Sequence, residues 1–213
     1  MIALKPLAAL LGYPDPELRA ALPEIADALK AAPRIPPPCR DQLTALIDEI
    51  AAADALEAEE RYVDLFDRGL ATSLNLFEHL HGESRDRGQA MADLKQIYEK
   101  AGFMLTSCEL PDYLPVLLEY LASRDEAEVR SMLGDCAHIV RTIGEALLKR
   151  GSRYAAVLDT VLRIAGEKPL DKARASRRPA EKPDLDRDWV ERPAFESDAA
   201  VAHRPVFASG SKR

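Results

Sequence analysis

Apolar residues recur every three to four positions along most of the first 166 residues, which is the periodicity of an amphipathic helix. The pattern predicts a first helix that ends near Gly12 and a second that begins at Pro16, with Asp15 as its N-cap. The proline-rich stretch from Pro33 to Pro38 predicts a stiff connector. A third helix follows, and its apolar stripe consists of Leu43, Leu46, Ile47 and Ile50.

The middle of the chain contains further helical patterns, separated by glycine and proline. The segment from Glu59 to Phe66 either continues the third helix or follows a break, and another helical stretch is expected from Leu70 to His79. The next helix should end at Gly102, and Asp112 is expected to cap the one after it. The residues that share the apolar face of the helix before Gly102 are Ala90, Met91, Leu94, Ile97 and Tyr98.

The longest pattern runs from Val129 to Leu147, and a last helix ends at Gly166. Residues 167–213 hold five prolines, many charges and few apolar side chains, apart from an island around Trp189 and Phe195. Such a segment cannot offset its ordering entropy by burial. We therefore expect a single all-α helical-bundle domain over residues 1–166 and a disordered C-terminal tail over residues 167–213.

Charge and composition narrow the class of protein. Residues 1–166 carry 27 acidic and 18 basic residues, a net charge of −9, whereas the tail carries +2. An acidic body repels phosphate backbones and attracts basic ligands, so we expect no nucleic acid partner. No apolar run approaches the roughly 20 residues of a membrane span. Since the N-terminus also lacks the features of a secretory signal, we expect a cytoplasmic protein without stable membrane insertion.

Catalytic and metal-binding patterns are missing from the sequence. No glycine-rich phosphate loop and no nucleophile elbow is recognisable, so we expect no enzyme. Cys39, Cys108 and Cys136 lie far apart and match no zinc motif, which predicts reduced thiols, with Cys136 in the core. His79 and His81 are two residues apart and point to different sides of a helix. We therefore expect neither a bound metal nor a resident cofactor.

The segment from Arg68 to Arg87 is the richest in polar side chains suited to function. Besides a metal site formed by His79, His81 and a carboxylate, which the spacing disfavours, the residues alone leave two interpretations open for it. It is either a junction between helices, held by caps and ion pairs, or a surface that binds a partner.

Two blocks of sequence closely resemble the NarJ family, the assembly chaperones of respiratory nitrate reductase that are sometimes called its delta subunit. They are YVDLFDRGLATSLNLFEHLHGESRDRGQAMADL (Tyr62–Leu94) and ELPDYLPVLLEYL (Glu109–Leu121). The opening LLGYP (Leu10–Pro14) is part of the resemblance, and the tail around Trp189 is more loosely similar. The resemblance implies the all-helical fold of redox-enzyme maturation chaperones.

The same resemblance implies a system-specific chaperone. Its partner would be the apo catalytic (alpha) subunit of respiratory nitrate reductase, bound by the N-terminal peptide while the molybdenum cofactor is inserted, before membrane docking. The alternatives are a carrier that itself binds the molybdenum cofactor, with Arg68, Arg85 and Arg87 as its basic pocket, and a structural subunit of the assembled complex.

Recognition of a peptide by such a chaperone would place an amphipathic helix in a groove between chaperone helices, with carboxylates at the rim facing its Lys and Arg side chains. The resemblance does not separate residues that touch the peptide from residues that hold the fold. The candidate peptide-binding residues in the two matching blocks are His79, His81, Glu83, Arg85, Asp86, Glu109, Asp112, Tyr113 and Glu119.

Overall fold

The computed structural model describes residues 3–81, 85–105 and 109–171, without the side chains of residues 81, 85 and 86. All regular elements in these residues are helical, which confirms the all-α prediction. A π-helical turn, Val63–Asp67, follows α4, and a 3₁₀ turn spans Leu70–Thr72. The α-helices are α1 (Leu4–Leu10), α2 (Pro16–Ala31), α3 (Pro37–Ala52), α4 (Ala55–Tyr62), α5 (Glu78–His81), α6 (Arg85–Lys100), α7 (Leu114–Ala122), α8 (Glu126–Lys149) and α9 (Ala155–Ala165).

Much of the core lies between α1, α7, α8 and α9, which we call the leucine-rich body, and α2 and α3 add buried side chains such as Leu22, Leu43 and Leu46. Helices α8 and α9 form the most extensive pair, and α1 packs against α7. Burying one Leu or Ile side chain stabilises a fold by about 1.5–3 kcal/mol, so the apolar faces of these four helices are a large part of its stability. Fully buried members are Leu4, Leu7, Leu10, Leu114, Leu118, Leu121, Val129, Ile143, Leu147, Val157, Leu158 and Leu162.

Several predicted helix ends are confirmed. The carboxylate of Asp15 accepts a hydrogen bond from the Leu18 amide at 2.7 Å and so caps α2. Gly102 and Gly166 follow their helices with φ angles of 74° and 87°, the left-handed conformation that glycine adopts without strain.

One other boundary differs from the expectation, and a second is left open by the sequence. The predicted connector is shorter, because Pro37 and Pro38 already form the first turn of α3, where a residue without an N–H is tolerated. The segment from Glu59 to Phe66 follows a break rather than continuing α3. Asp54 makes that break by capping α4 through the Leu56 amide, at 3.0 Å.

The predicted helix from Leu70 to His79 is wrong. After the 3₁₀ turn the chain bends at Leu74, forms an isolated bridge at Asn75 and turns at Leu76 and Phe77, and only a single α-helical turn, α5, forms at Glu78–His81. The apolar residues Leu74 and Leu76 are buried from this irregular backbone, not from one face of a helix. The pattern of a short apolar run does not by itself separate a helix from another buried segment.

Helix α6 packs less tightly than its pattern predicted. Tyr98 is fully buried and Leu94 is half-buried, but the predicted core residue Ile97 is 44% exposed. The Tyr98 hydroxyl donates a hydrogen bond to the Pro111 carbonyl at 2.9 Å. Helix α6 is therefore attached mainly at its C-terminal end.

The cysteine prediction is wrong in one respect. Cys39 is the buried thiol, whereas Cys136 is only half-buried, and Cys108 lies outside the described residues. Cys136 is placed on the flank of the apolar face of α8 rather than at its centre.

The helical pattern ends at Gly166, but packing continues beyond it. The Leu170 amide donates a hydrogen bond to Asp159 at 2.6 Å, and the Leu170 side chain fills the space left by the missing Cβ of Gly144. Contact with the body therefore extends at least four residues past the last helix. The rest of the tail, with Trp189 and Phe195, lies outside the described residues, and its disorder stays a prediction.

Candidate functional site

An apolar groove opens between the chain after the 3₁₀ turn and helices α6, α7 and α8. Its volume is about 210 Å³, more than the roughly 150 Å³ of an engineered cavity that holds benzene. Leu117 and Ile139 are buried at its base, and Leu80 is 47% exposed at its edge. The groove is lined by Leu76, Phe77, Leu80, Leu94, Leu117, Met132, Asp135, Cys136 and Ile139.

Residues 73–80 form one side of the groove, and we call them the groove wall. Their backbone pairs with the start of α7 through an isolated bridge between Asn75 and Tyr113. The Leu114 amide donates to the Leu74 carbonyl at 2.9 Å, and the Leu76 amide donates to the Asp112 carbonyl at 3.0 Å. The groove wall is therefore attached to α7 by directional hydrogen bonds.

The fully buried Asp112 strengthens this attachment. Its Oδ2 accepts a hydrogen bond from the Phe77 amide at 2.9 Å. The prediction that Asp112 caps α7 is wrong, because Tyr113 is the N-cap residue and that position makes no side-chain cap bond. Burial raises the pKa of Asp112 above its usual value, while the Phe77 amide and the Arg87 guanidinium oppose the rise. Its Oδ1 is buried and has no hydrogen-bond partner among the described residues.

The carboxylate of Glu78 lies near Asp112 and connects the groove wall to Arg87 on α6. Glu78 accepts hydrogen bonds from the Ser73 hydroxyl at 2.5 Å and from the side-chain amide of Asn75 at 3.4 Å. It also forms an ion pair with Arg87 at 3.2 Å. Burial alone would raise the pKa of Glu78. The donors from Ser73 and Arg87 outweigh that effect, so the pKa of Glu78 lies below its usual value.

His79 and Tyr113, both predicted to bind peptide, hold the local fold. The Nε2 of His79 lies 2.9 Å from the Ser73 carbonyl, and since a carbonyl only accepts, that nitrogen carries the proton. The Tyr113 hydroxyl lies 3.0 Å from the Tyr62 hydroxyl, which donates to the Leu11 carbonyl at 2.8 Å. Tyr113 therefore ties the start of α7 to the end of α1.

Glu109 and Glu119, also predicted, are exposed and lie near each other. Burial and the repulsion from Glu119 both raise the pKa of Glu109. The described structure thus gathers the predicted residues into two sets, an internal one and an acidic exposed one. The side chains of His81, Glu83, Arg85 and Asp86 lie outside the description.

The sequence did not single out the groove-lining residues as a functional site. Phe77 and Leu80 lie in the first matching block and could have been singled out there. Met132, Cys136 and Ile139 gave no separate signal, because their spacing continues the core-facing stripe of α8. Periodicity identifies the apolar flank of a helix but not whether a neighbour covers it.

The cationic pocket suggested for a cofactor carrier has no support in the described residues. Arg68 forms an ion pair with Asp64 at 2.8 Å, and Arg87 is paired with Glu78. Arg68 lines a different recess, of about 380 Å³, together with Tyr13, Leu56, Glu59, Glu60, Val63 and Asp64. The two arginines are therefore neutralised locally and do not line the same recess.

Neither a metal site nor a membrane span is present in the described part of the chain. No group of three or more His, Cys, Asp or Glu side chains there has an arrangement that could hold a metal ion. Within the same residues, no helix has both the length and the apolar character to span a membrane.

Comparison with known proteins identifies the family. The model of the nitrate reductase delta subunit family matches residues 13–159, and the chain belongs to this family. It is 41% identical to the nitrate reductase molybdenum cofactor assembly chaperone NarJ of Escherichia coli K12, over 98% of this chain and 93% of that protein. It is 42% identical to the probable chaperone NarW of the same strain, over 78% and 69% of the two chains. A probable NarJ of Bacillus subtilis is 34% identical, over 76% and 86%.

Proposed function

We propose that this protein is a cytoplasmic, non-enzymatic chaperone that binds the N-terminal peptide of the apo catalytic subunit of respiratory nitrate reductase. By holding that subunit before membrane docking, it supports insertion of the molybdenum cofactor. The chaperone role follows the relatives, which are named as assembly chaperones. The observation that supports peptide binding is the apolar groove beside α8, which lies in the region of the two family-like blocks.

Binding would combine two physical contributions. An apolar side chain of the peptide enters the groove and gains the free energy of leaving water, which salt does not screen. Carboxylates around the groove attract basic residues of the peptide, and added salt weakens that part over a screening length of about 8 Å at physiological ionic strength. The net charge of −9 on residues 1–166 favours such a ligand. The internal set of Asp112, Tyr113 and His79 acts indirectly, by holding the groove wall.

The groove is tested by one substitution and a matched control. Leu80→Asp places a charge at the groove edge, and Leu56→Asp makes the same change at a leucine on α4 that is 63% exposed. Both side chains are exposed, so both variants should fold. In calorimetric titrations with the synthetic N-terminal peptide, Leu80→Asp should weaken binding about 30-fold, the effect of losing an apolar anchor contact of about 2 kcal/mol. Leu56→Asp should change it less than twofold. Equal binding by a folded Leu80→Asp variant would reject the groove.

The acidic rim is tested separately. Charge reversal at Glu83, Asp86, Glu109 or Glu119 should weaken binding by roughly 1 kcal/mol for each rim pair, with a smaller loss at high salt. If none of the four reversals changes the affinity of a folded protein, these residues are not the rim.

The chaperone role itself is tested in cells that lack the molybdenum cofactor. There the apo catalytic subunit should accumulate on this protein and copurify with it. Copurification with mature, cofactor-loaded enzyme would instead favour a structural subunit, and cofactor bound by the isolated chain would favour a carrier.

A further inference from the structure

Among the described residues that line the apolar groove, Asp135 is the only one with a charged side chain. It lies on α8 between Met132 and Ile139 and next to Cys136, all of which line the groove. Its side chain is exposed, so the carboxylate is at the solvent edge of an otherwise apolar surface. Asp135 is close enough to Cys136 for its charge to add to the burial that raises the pKa of that thiol to about 12.

The two carboxylates that hold the groove wall, Glu78 and Asp112, already have partners. Glu78 is paired with Arg87, and Asp112 is buried and bonded to the Phe77 amide. By contrast, none of the ion pairs formed within residues 3–81, 85–105 and 109–171 includes Asp135. Asp135 therefore keeps its charge available at the edge of the groove.

A carboxylate in this position favours one arrangement of a ligand. Apolar atoms on the ligand would cover the groove and exclude water, which strengthens the interaction of a cation with the neighbouring carboxylate. On a helical peptide, residues three or four positions apart project from the same face. A Lys or Arg one turn away from the apolar anchor would thus reach Asp135 while the anchor occupies the groove.

We propose that Asp135 determines specificity in this groove by pairing with one Lys or Arg of the client peptide, one helical turn from its apolar anchor. The pairing fixes the direction and register of the peptide, which an apolar groove alone does not fix. This inference rests on the proposed function, since it concerns the same groove and the same peptide.

The test is an exchange of charges between protein and peptide. Asp135→Asn and Asp135→Arg are titrated with the synthetic N-terminal peptide and with variants in which each Lys or Arg is changed singly to Glu. Asp135→Asn should weaken binding of the natural peptide about fivefold, with a shallower dependence on salt, and Asp135→Arg should weaken it at least tenfold. One Glu-substituted peptide, and not the others, should bind Asp135→Arg better than it binds the unmodified protein.

Glu24 provides the matched control, because it is an exposed carboxylate on α2 and does not line the groove. Glu24→Arg makes the same change in net charge and should alter binding less than twofold. Two outcomes would overturn the proposal: rescue that is spread evenly over all peptide variants, or equal losses of binding for Glu24→Arg and Asp135→Arg. Either would mean that the acidic surface attracts the peptide in general, without a specific pair at Asp135.

The outcome for Leu80→Asp separates this inference from the proposed function. If Leu80→Asp abolishes binding while Asp135→Asn and Asp135→Arg leave it unchanged, the groove stands and Asp135 has no part in specificity. If neither position affects binding, the proposed groove is wrong and the inference falls with it.

Discussion

The leucine-rich body and the groove wall are stabilised in different ways. In the body, fully buried leucine, isoleucine and valine side chains on four helices pack against each other. In the groove wall, residues 73–80 are fixed by hydrogen bonds: Asp112 accepts from the Leu76 and Phe77 amides, and Arg87 donates to Glu78. The wall also leaves Leu80 exposed, whereas the body keeps its large apolar residues covered.

This difference has consequences for binding. Apolar packing is non-directional and spread over many contacts, so the body should unfold as one cooperative unit. A segment with few buried apolar contacts opens at a lower free energy than the global unfolding, and binding regions are commonly drawn from such segments. In the proposed complex, the groove wall would thus adjust to the peptide while α7 and α8 keep their positions.

The largest effect is expected from a cavity in the body. Leu118→Ala removes a fully buried side chain of α7 and should lower the free energy of unfolding by about 3 kcal/mol, the usual cost of a cavity in a core. Urea unfolding followed by circular dichroism measures this loss. Leu56→Ala, at an exposed leucine, should cost less than about 0.5 kcal/mol. Similar losses in the two variants would contradict the assignment of the core to the body.

The next effect concerns the attachment of the groove wall. Asp112→Ala leaves the part-buried Phe77 amide without its acceptor, at a cost of about 2 kcal/mol. The loss should show as faster hydrogen exchange at Leu76 and Phe77, with little change at α8. Asp112→Asn keeps an oxygen for the Phe77 amide and should restore part of the protection. Faster exchange throughout α8 as well would show that Asp112 supports the whole fold.

The same contrast explains what the sequence could predict. Helices of the body were recognisable because their apolar spacing coincides with burial over several turns, as from Val129 to Leu147. The groove wall was not recognisable, because Leu74 and Leu76 are buried from an irregular chain that is held by tertiary hydrogen bonds. The role of Asp112 depends on Phe77, which lies 35 positions away. No local signal reports such a contact.

A smaller effect, with a defined dependence on pH, is expected at Glu78. Its pKa is lower in the folded state, so its stabilisation is present above the unfolded value of about 4.3 and is lost as the pH falls through the folded value. Glu78→Gln should therefore lower stability by about 1 kcal/mol at pH 7 and by progressively less as the pH falls below the unfolded value. Urea titrations across this range measure the difference.

The contribution of Asp112 to stability depends on pH in the opposite direction from that of Glu78. Because its pKa is raised, its contribution is present below about 3.9 and is lost as the pH rises through its folded value. The Glu78 charge is one of the causes that raise the pKa of Asp112, so the comparison is made in an Asp112→Asn background, where this contribution is absent from both proteins. A difference that stays constant between pH 7 and pH 3 would show that the charge of Glu78 is not what stabilises the wall.

The smallest effects come from two exposed glycines, Gly88 on α6 and Gly134 on α8. A Cβ at either position would meet no atom within 4 Å, so alanine should stabilise each helix by up to about 1 kcal/mol. Since α8 unfolds with the body, Gly134→Ala should raise the midpoint of thermal unfolding by about 2–4 °C. Helix α6 is attached mainly through Tyr98, so Gly88→Ala should slow hydrogen exchange within α6 and leave that midpoint unchanged. Equal increases in the midpoint for the two variants would mean that α6 and the body unfold together.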